Sequence, residues 1–189
     1  MIGAAMEAGY RHYDCAEMYE NEEKIGIALE KAMKANGVKR EELWITSKVP
    51  PYRMDYENAK ECVKESIANL RCGYLDLILI HWPTTIIGEP GLANRLETWK
   101  AFEELKSEGL VKSIGVSNFT LKHLQEFADN KIIPAVNQIE IHPLYLDQAA
   151  ATFCKTHGIT MIGYAPLATY DERLMKAPQI LKLCEKYHK

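Results

Sequence analysis

Residues 75–83, Leu-Asp-Leu-Ile-Leu-Ile-His-Trp-Pro, constrain the fold of this chain more than any other stretch. The run is apolar on both faces that a strand would present, and it stops at an imidazole, an indole and a proline. So short a run fits a strand covered on two sides, as in a parallel sheet flanked by helices. On that reading His81 and Trp82 stand at the carboxyl end of the strand, where parallel α/β folds carry their chemistry. Asp76 falls near the start of the strand, at the end opposite His81.

Helix and strand alternate on either side of this stretch. Residues 1–8 read as a helix closed by Gly9, followed by a strand at 10–14 and a helix at 21–35 with Ile25, Leu29, Ala32 and Met33 inward. Asn36-Gly37 ends it, and 43–48 is the next strand. Asp55 is placed to cap a helix that carries Ala59, Val63, Ile67 and Leu70 on one side. A polar loop around 84–91 leads to a helix with Leu96, Trp99 and Leu105 inward. Strands at 111–116, 135–139 and 159–163 then alternate with helices at 120–128, 147–157 and 177–188. Strand and helix at this spacing imply right-handed parallel crossovers, and neither a linker nor a repeat interrupts them. One domain over 1–189 is expected.

The strand ends share a chemical character. Asp14, Lys48, His81, Ser117-Asn118, Gln138 and Tyr164 each fall at or beside the carboxyl end of a successive strand. An open doubly wound sheet concentrates such groups at one switch point, whereas a (β/α)8 barrel gathers them in a ring. No Gly-x-Gly-x-x-Gly opens a helix, so the Rossmann dinucleotide fingerprint is absent. The pattern favours the barrel.

Composition removes other classes. A formal net charge of −3 gives no electrostatic reason to expect nucleic acid or an anionic membrane. No apolar stretch approaches a membrane span, and the first residues lack the basic and apolar regions of a secretion signal. Five scattered cysteines without a Cys-x-x-Cys pair suggest free thiols, no zinc site and a cytoplasmic location.

Several blocks carry a resemblance. Gly9-Tyr10-Arg11-His12-Tyr13-Asp14-Cys15-Ala16, followed by Glu22 and Ile25-Gly26, resembles the first signature of the aldo-keto reductase family. Ile45–Val49, Leu79–Pro83, Gly115–Phe119 and Val136–Glu140 are similar to further blocks of that family, in the same order. The resemblance covers essentially the whole chain. It implies a carbonyl reductase that uses NADP(H), or NAD(H), on a (β/α)8 barrel, with Asp14, Tyr19, Lys48 and His81 as the catalytic tetrad.

Those residue types suit the reaction. Reducing a carbonyl needs a hydride at carbon and a proton at oxygen, and a phenol is a poor acid unless its anion is stabilised. Lys48 beside Tyr19 would stabilise that anion, Asp14 would hold Lys48 charged and oriented, and His81 would hydrogen-bond the developing alkoxide. Singly, each also has a plain structural role: an ion pair for Asp14 and Lys48, a helix-start aromatic for Tyr19, a core histidine for His81. The resemblance further implies that Ser117, Asn118 and Gln138 bind the nicotinamide carboxamide and that Tyr164 stacks on its ring. It aligns Leu167, Thr169 and Asp171 with the diphosphate loop. Ala165 replaces a serine common in the family, which removes one hydroxyl from that loop. Trp82 is expected to line the substrate pocket, or else to plug the core under the loop at 84–91, and His142-Pro143 is read as structural.

The resemblance also implies that the family's first and eighth strands lie outside this sequence, the eighth bearing the segment that grips the adenosine 2′-phosphate. The strands at 10–14 and 159–163 are therefore expected to have open edges, so that the 189-residue chain self-associates and binds NADP(H) weakly, whereas a full-length form would be monomeric. A small carbonyl compound is the implied substrate. Three other readings use the same residues: a Schiff-base lyase acting through Lys48, a cofactor-binding subunit without turnover, and an inactive fragment.

Overall fold

A computed structural model describes residues 1–84, 91–128 and 132–188. Six strands, β1 His12–Asp14, β2 Trp44–Val49, β3 Leu75–Ile80, β4 Val111–Ser117, β5 Val136–Glu140 and β6 Thr160–Tyr164, pair in the order β1-β2-β3-β4-β5-β6. Every pair is parallel. The sheet curls into part of a (β/α)8 barrel, as the ring of strand-end groups implied. The helices are α1 Ile2–Glu7, α2 Glu22–Asn36, α3 Tyr56–Asn69, α4 Leu92–Ser107, α5 Leu121–Gln125, α6 Gln148–Thr156, α7 Glu172–Met175 and α8 Pro178–Tyr187.

Alternation along the strands divides the apolar residues into two layers. Ile45, Val49, Ile78, Ile80, Ile114 and Val116 point outward and join Leu29, Val63, Trp99, Phe102 and Phe127 in the large core between sheet and helices. Leu77, Leu79 and Val136 point inward and pack with Ile162 as a small plug inside the curl. Gly115 belongs to that inner layer. A Cβ there would stand 2.7 Å from the Val136 carbonyl oxygen and 2.9 Å from Leu79 Cδ2, so only glycine lets β4 sit this close.

Local signals fix the helix ends. The Asp55 carboxylate accepts from Asn58 N–H at 2.7 Å, capping α3, and Asp147 accepts from Ala150 N–H at 3.0 Å, capping α6. Gly37, with φ of 64°, closes α2. Some elements differ from the sequence expectation. The helix expected over 120–128 is α-helical only over Leu121–Gln125. Just past it, Glu126 forms a two-pronged ion pair with Arg95 of α4, at 2.7 and 2.6 Å, a long-range contact that periodicity does not encode. The turn Ala168–Tyr170 and helix α7 were not expected, and Thr169 there has a left-handed φ of 51°. Most of the loop expected at 84–91 lies outside the described residues.

The two ends of the sheet carry different chemistry. At the amino end, buried Asp76 accepts from Arg40 at 2.8 Å, from Ile45 N–H at 2.9 Å and from Lys112 at 3.2 Å. Both oxygens of that carboxylate are engaged in holding this end of the sheet together. At the carboxyl end, Arg95 donates to the Pro83 carbonyl at 3.0 Å and so anchors the segment just after His81 and Trp82.

Candidate active site

The carboxyl ends of the strands open into a cavity of about 630 Å³. Asp14 closes β1, Lys48 is the penultimate residue of β2, and His81 follows the last residue of β3. Tyr19 comes from the short turn Glu17–Tyr19 after β1, held by a bond from its own N–H to the Ala16 carbonyl at 3.0 Å. Four residues separated by as many as 67 positions (81 − 14) thus meet at one place.

Lys48 is the centre of the arrangement. Its side chain is 1% exposed, and its ammonium donates to an Asp14 carboxylate oxygen, to the Cys15 carbonyl at 2.8 Å and to Tyr19 Oη at 3.3 Å. An ammonium has three N–H donors, and three acceptors surround it. Buried charge is tolerated when it is paired and hydrogen-bonded in this way. The second Asp14 oxygen accepts from Gln138 Nε2 at 2.6 Å, which ties the β1 end to β5 across the cavity.

His81 sits edge-on to Tyr19, with ring centroids 5.8 Å apart, and stacks on Trp82 at 6.4 Å. Burial, reinforced by the Lys48 charge, lowers its pKa to about 4, so the ring is neutral near pH 7. Its Nδ1 is buried without a hydrogen-bond partner, which leaves Nε2 as the nitrogen that can serve the cavity. A neutral imidazole there can donate one hydrogen bond to an oxygen without delivering a full charge.

The opposite wall is polar in a different way. Ser117 Oγ donates to the Gln138 carbonyl at 2.8 Å. Asn118 Nδ2 donates to the His81 carbonyl at 2.8 Å and to Ser117 Oγ at 3.1 Å, while its Oδ1 accepts from the Tyr164 hydroxyl at 2.7 Å. Asn118 holds this position with a left-handed φ of 62°, a conformation asparagine tolerates better than most residues. A hydroxyl, two side-chain amides and a tyrosine ring therefore line one wall, facing the tetrad. The Tyr164 ring and the Gln138 amide on that wall suit a planar carboxamide-bearing ring.

All four expected tetrad residues meet, and Ser117, Asn118, Gln138, Tyr164 and Trp82 lie in or on the same cavity. Leu167 and Thr169 are not among its lining residues. Leu167 is largely exposed, and the Thr169 hydroxyl donates to the Ala168 carbonyl at 2.7 Å. Nearby Asp171 caps α7 and pairs with Arg173, which holds its carboxyl down at about 2. Sequence reasoning gave no role to Tyr10, His12, Ile162 and Gly163, which also line the cavity. His12 was accessible to it, because a residue two before Asp14 on a strand faces the same side. The His12 ring nitrogen Nε2 lies 3.0 Å from Thr46 Oγ1, and burial lowers its pKa.

The sequence model of the aldo/keto reductase family matches residues 1–173. Methylglyoxal reductase DkgA of Salmonella typhimurium is 41% identical over 189 residues, which cover 100% of this chain and 65% of that protein. MGS-M4, an aldo-keto reductase from a Medee basin deep-sea metagenome library, superposes with a TM-score of 0.89 at 39% identity, covering 100% of this chain and 66% of that one. A Bombyx mori aldo-keto reductase in complex with NADP gives a TM-score of 0.88 at 33% identity, covering 100% and 65%. The chain spans about 65% of the length of the curated relatives it matches.

Proposed function

The chain belongs to the aldo/keto reductase family, and from that premise we propose that it carries the reducing site of a nicotinamide-dependent carbonyl reductase. The observation that carries the proposal is the Lys48 ammonium, bonded at once to Asp14, the Cys15 carbonyl and Tyr19 Oη at the edge of a cavity. When bound, the nicotinamide supplies a hydride to the substrate's carbonyl carbon. Ser117, Asn118 and Gln138 would hold its carboxamide, and Tyr164 would pack on its ring.

The chain's own residues then account for the proton. Tyr19 Oη donates it to the carbonyl oxygen, and the phenolate left behind is stabilised by the adjacent Lys48 ammonium. Asp14 holds that ammonium in place. His81, neutral and edge-on to the phenol, donates a hydrogen bond to the same oxygen and aligns the carbonyl. Trp82, stacked on His81, covers the substrate and limits water around it. NADP is favoured over NAD because the Bombyx mori relative is recorded with NADP. A small aldehyde or ketone is favoured because several relatives are named methylglyoxal or glyoxal reductases. A cytoplasmic setting fits the free thiols of Cys15, Cys62, Cys72, Cys154 and Cys184.

Of the other readings, the Schiff-base lyase conflicts with the environment of Lys48. Such a lysine must be neutral and open to substrate, whereas this one is buried, with each of its three N–H groups directed at an acceptor. The test is NADPH consumption with methylglyoxal and with simple aldehydes, run beside borohydride trapping. Turnover without a trapped adduct on Lys48 is expected. A trapped adduct, or consumption unchanged in Tyr19→Phe, would overturn the reading.

A further inference from the structure

Glu22 is in an unusual place for a carboxylate. It opens α2 and is 5% exposed, on the same helix face as buried Gly26, Leu29 and Ala32. An aliphatic side chain would complete that stripe. A carboxylate there loses solvation, and burial raises its pKa although the Ser47 hydroxyl donates to it. So costly a group is informative through what it touches. Glu22 Oε1 accepts the Ser47 hydroxyl at 2.5 Å.

That bond joins the two segments whose relative position matters. Ser47 precedes Lys48 in β2, so their side chains point to opposite faces: Ser47 toward the helices, Lys48 toward the cavity. Glu22 lies three residues after Tyr19, and three residues of chain span at most about 10 Å. The helix bearing Glu22 is itself fixed, because a Cβ on Gly26 would stand 2.1 Å from the Asn69 carbonyl oxygen of α3. Tyr19, by contrast, is 49% exposed on a short turn and meets Lys48 only at 3.3 Å. We propose that Glu22 is a positioning residue, whose bond to Ser47 clamps the Tyr19 turn to β2 and so sets the approach of the phenol to the Lys48 ammonium. The role rests on the proposed function only in that Tyr19 is the proton donor; the clamp itself is a matter of geometry.

The experiment separates the two. The chain is labelled with 3-fluorotyrosine, and the Tyr19 resonance is assigned by its loss in Tyr19→Phe. The shift that Lys48→Met causes in that resonance then reports the Tyr19–Lys48 contact without any turnover. In the unaltered chain and in Glu22→Gln, which keeps an acceptor for Ser47, Lys48→Met is expected to move the resonance. In Glu22→Leu, which completes the apolar stripe, the response is expected to vanish. Turnover should fall roughly 10- to 100-fold while cofactor affinity stays the same. Should Glu22→Leu not fold, Ser47→Ala breaks the same bond from β2, and the same loss of response is expected there. An undiminished response in Glu22→Leu or Ser47→Ala, or equal behaviour of Glu22→Leu and Glu22→Gln, would overturn the clamp. Absence of turnover in the unaltered chain beside a normal fluorine response would refute the reductase reading and leave the clamp standing.

Discussion

At the scale of single residues, Lys48 has the least freedom. Its charge is buried, and all three of its donors are directed at acceptors. Tyr19→Phe removes only the donated proton and is expected to lower carbonyl reduction by roughly 10²- to 10⁴-fold. Nicotinamide binding should change little, because the amide and ring contacts lie on the other wall. Lys48→Met should do comparable damage, and the double variant should be little worse than either single one, since the pair acts as a unit. Multiplicative losses in steady-state kinetics would show the two to be independent. His81 adds a pH effect. Its folded pKa is depressed to about 4, below the usual imidazole value, so between those limits the unfolded chain binds more protons. Stability from this residue is present above about pH 6.5 and is lost as pH falls toward 4, by up to about 3 kcal/mol. Urea unfolding at pH 7 and pH 4.5 should show a smaller difference in His81→Gln than in the unaltered chain. The places of Asp14, Lys48 and His81 were legible because each stands at or just after a strand end inside a recognisable block, whereas Tyr19, on a turn past β1, came from the resemblance alone. The bond from Gln138 to Asp14 was not legible, because it depends on how far apart β1 and β5 stand across the cavity.

At the scale of elements, legibility followed the strength of local signals. The six strands, the Asp55 cap and the Gly37 stop are written in neighbouring residues, and the structure places them within a few positions of expectation. The early end of α5 beside the Arg95–Glu126 pair and the left-handed turn at Thr169 depend on distant or strained contacts, and short-range pattern does not carry them. Close approach of α2 to α3 is a third such case. Glycine inside a helix weakens it, yet Gly26 lets the two helices touch. Gly26→Ala is therefore expected to destabilise the fold by about 1–3 kcal/mol, although alanine is the better helix former. A lower urea midpoint with an unchanged slope would bear this out, and a higher midpoint would contradict it.

At the scale of the whole molecule, β1 pairs only with β2 and β6 only with β5 among the described residues. Each therefore presents backbone donors and acceptors along one edge, and unpaired groups cost roughly 1–3 kcal/mol each where they are buried. Domains of this size have only about 5–15 kcal/mol of stability in total. The 189-residue chain is expected to self-associate edge to edge, and sedimentation should show species larger than a monomer at micromolar concentration. A single monomeric species with cooperative unfolding would contradict that. The central claim, that the cavity at the strand ends reduces carbonyls with Tyr19 as acid, has a more direct test. The chain is incubated with excess NADPH deuterated at the nicotinamide C4 position that donates the hydride and with methylglyoxal, and the alcohol product is analysed by mass spectrometry. We expect one deuterium on the former carbonyl carbon, with product from Tyr19→Phe reduced at least roughly 100-fold. Alcohol without deuterium, no alcohol from the unaltered chain, or equal product from Tyr19→Phe would contradict the account.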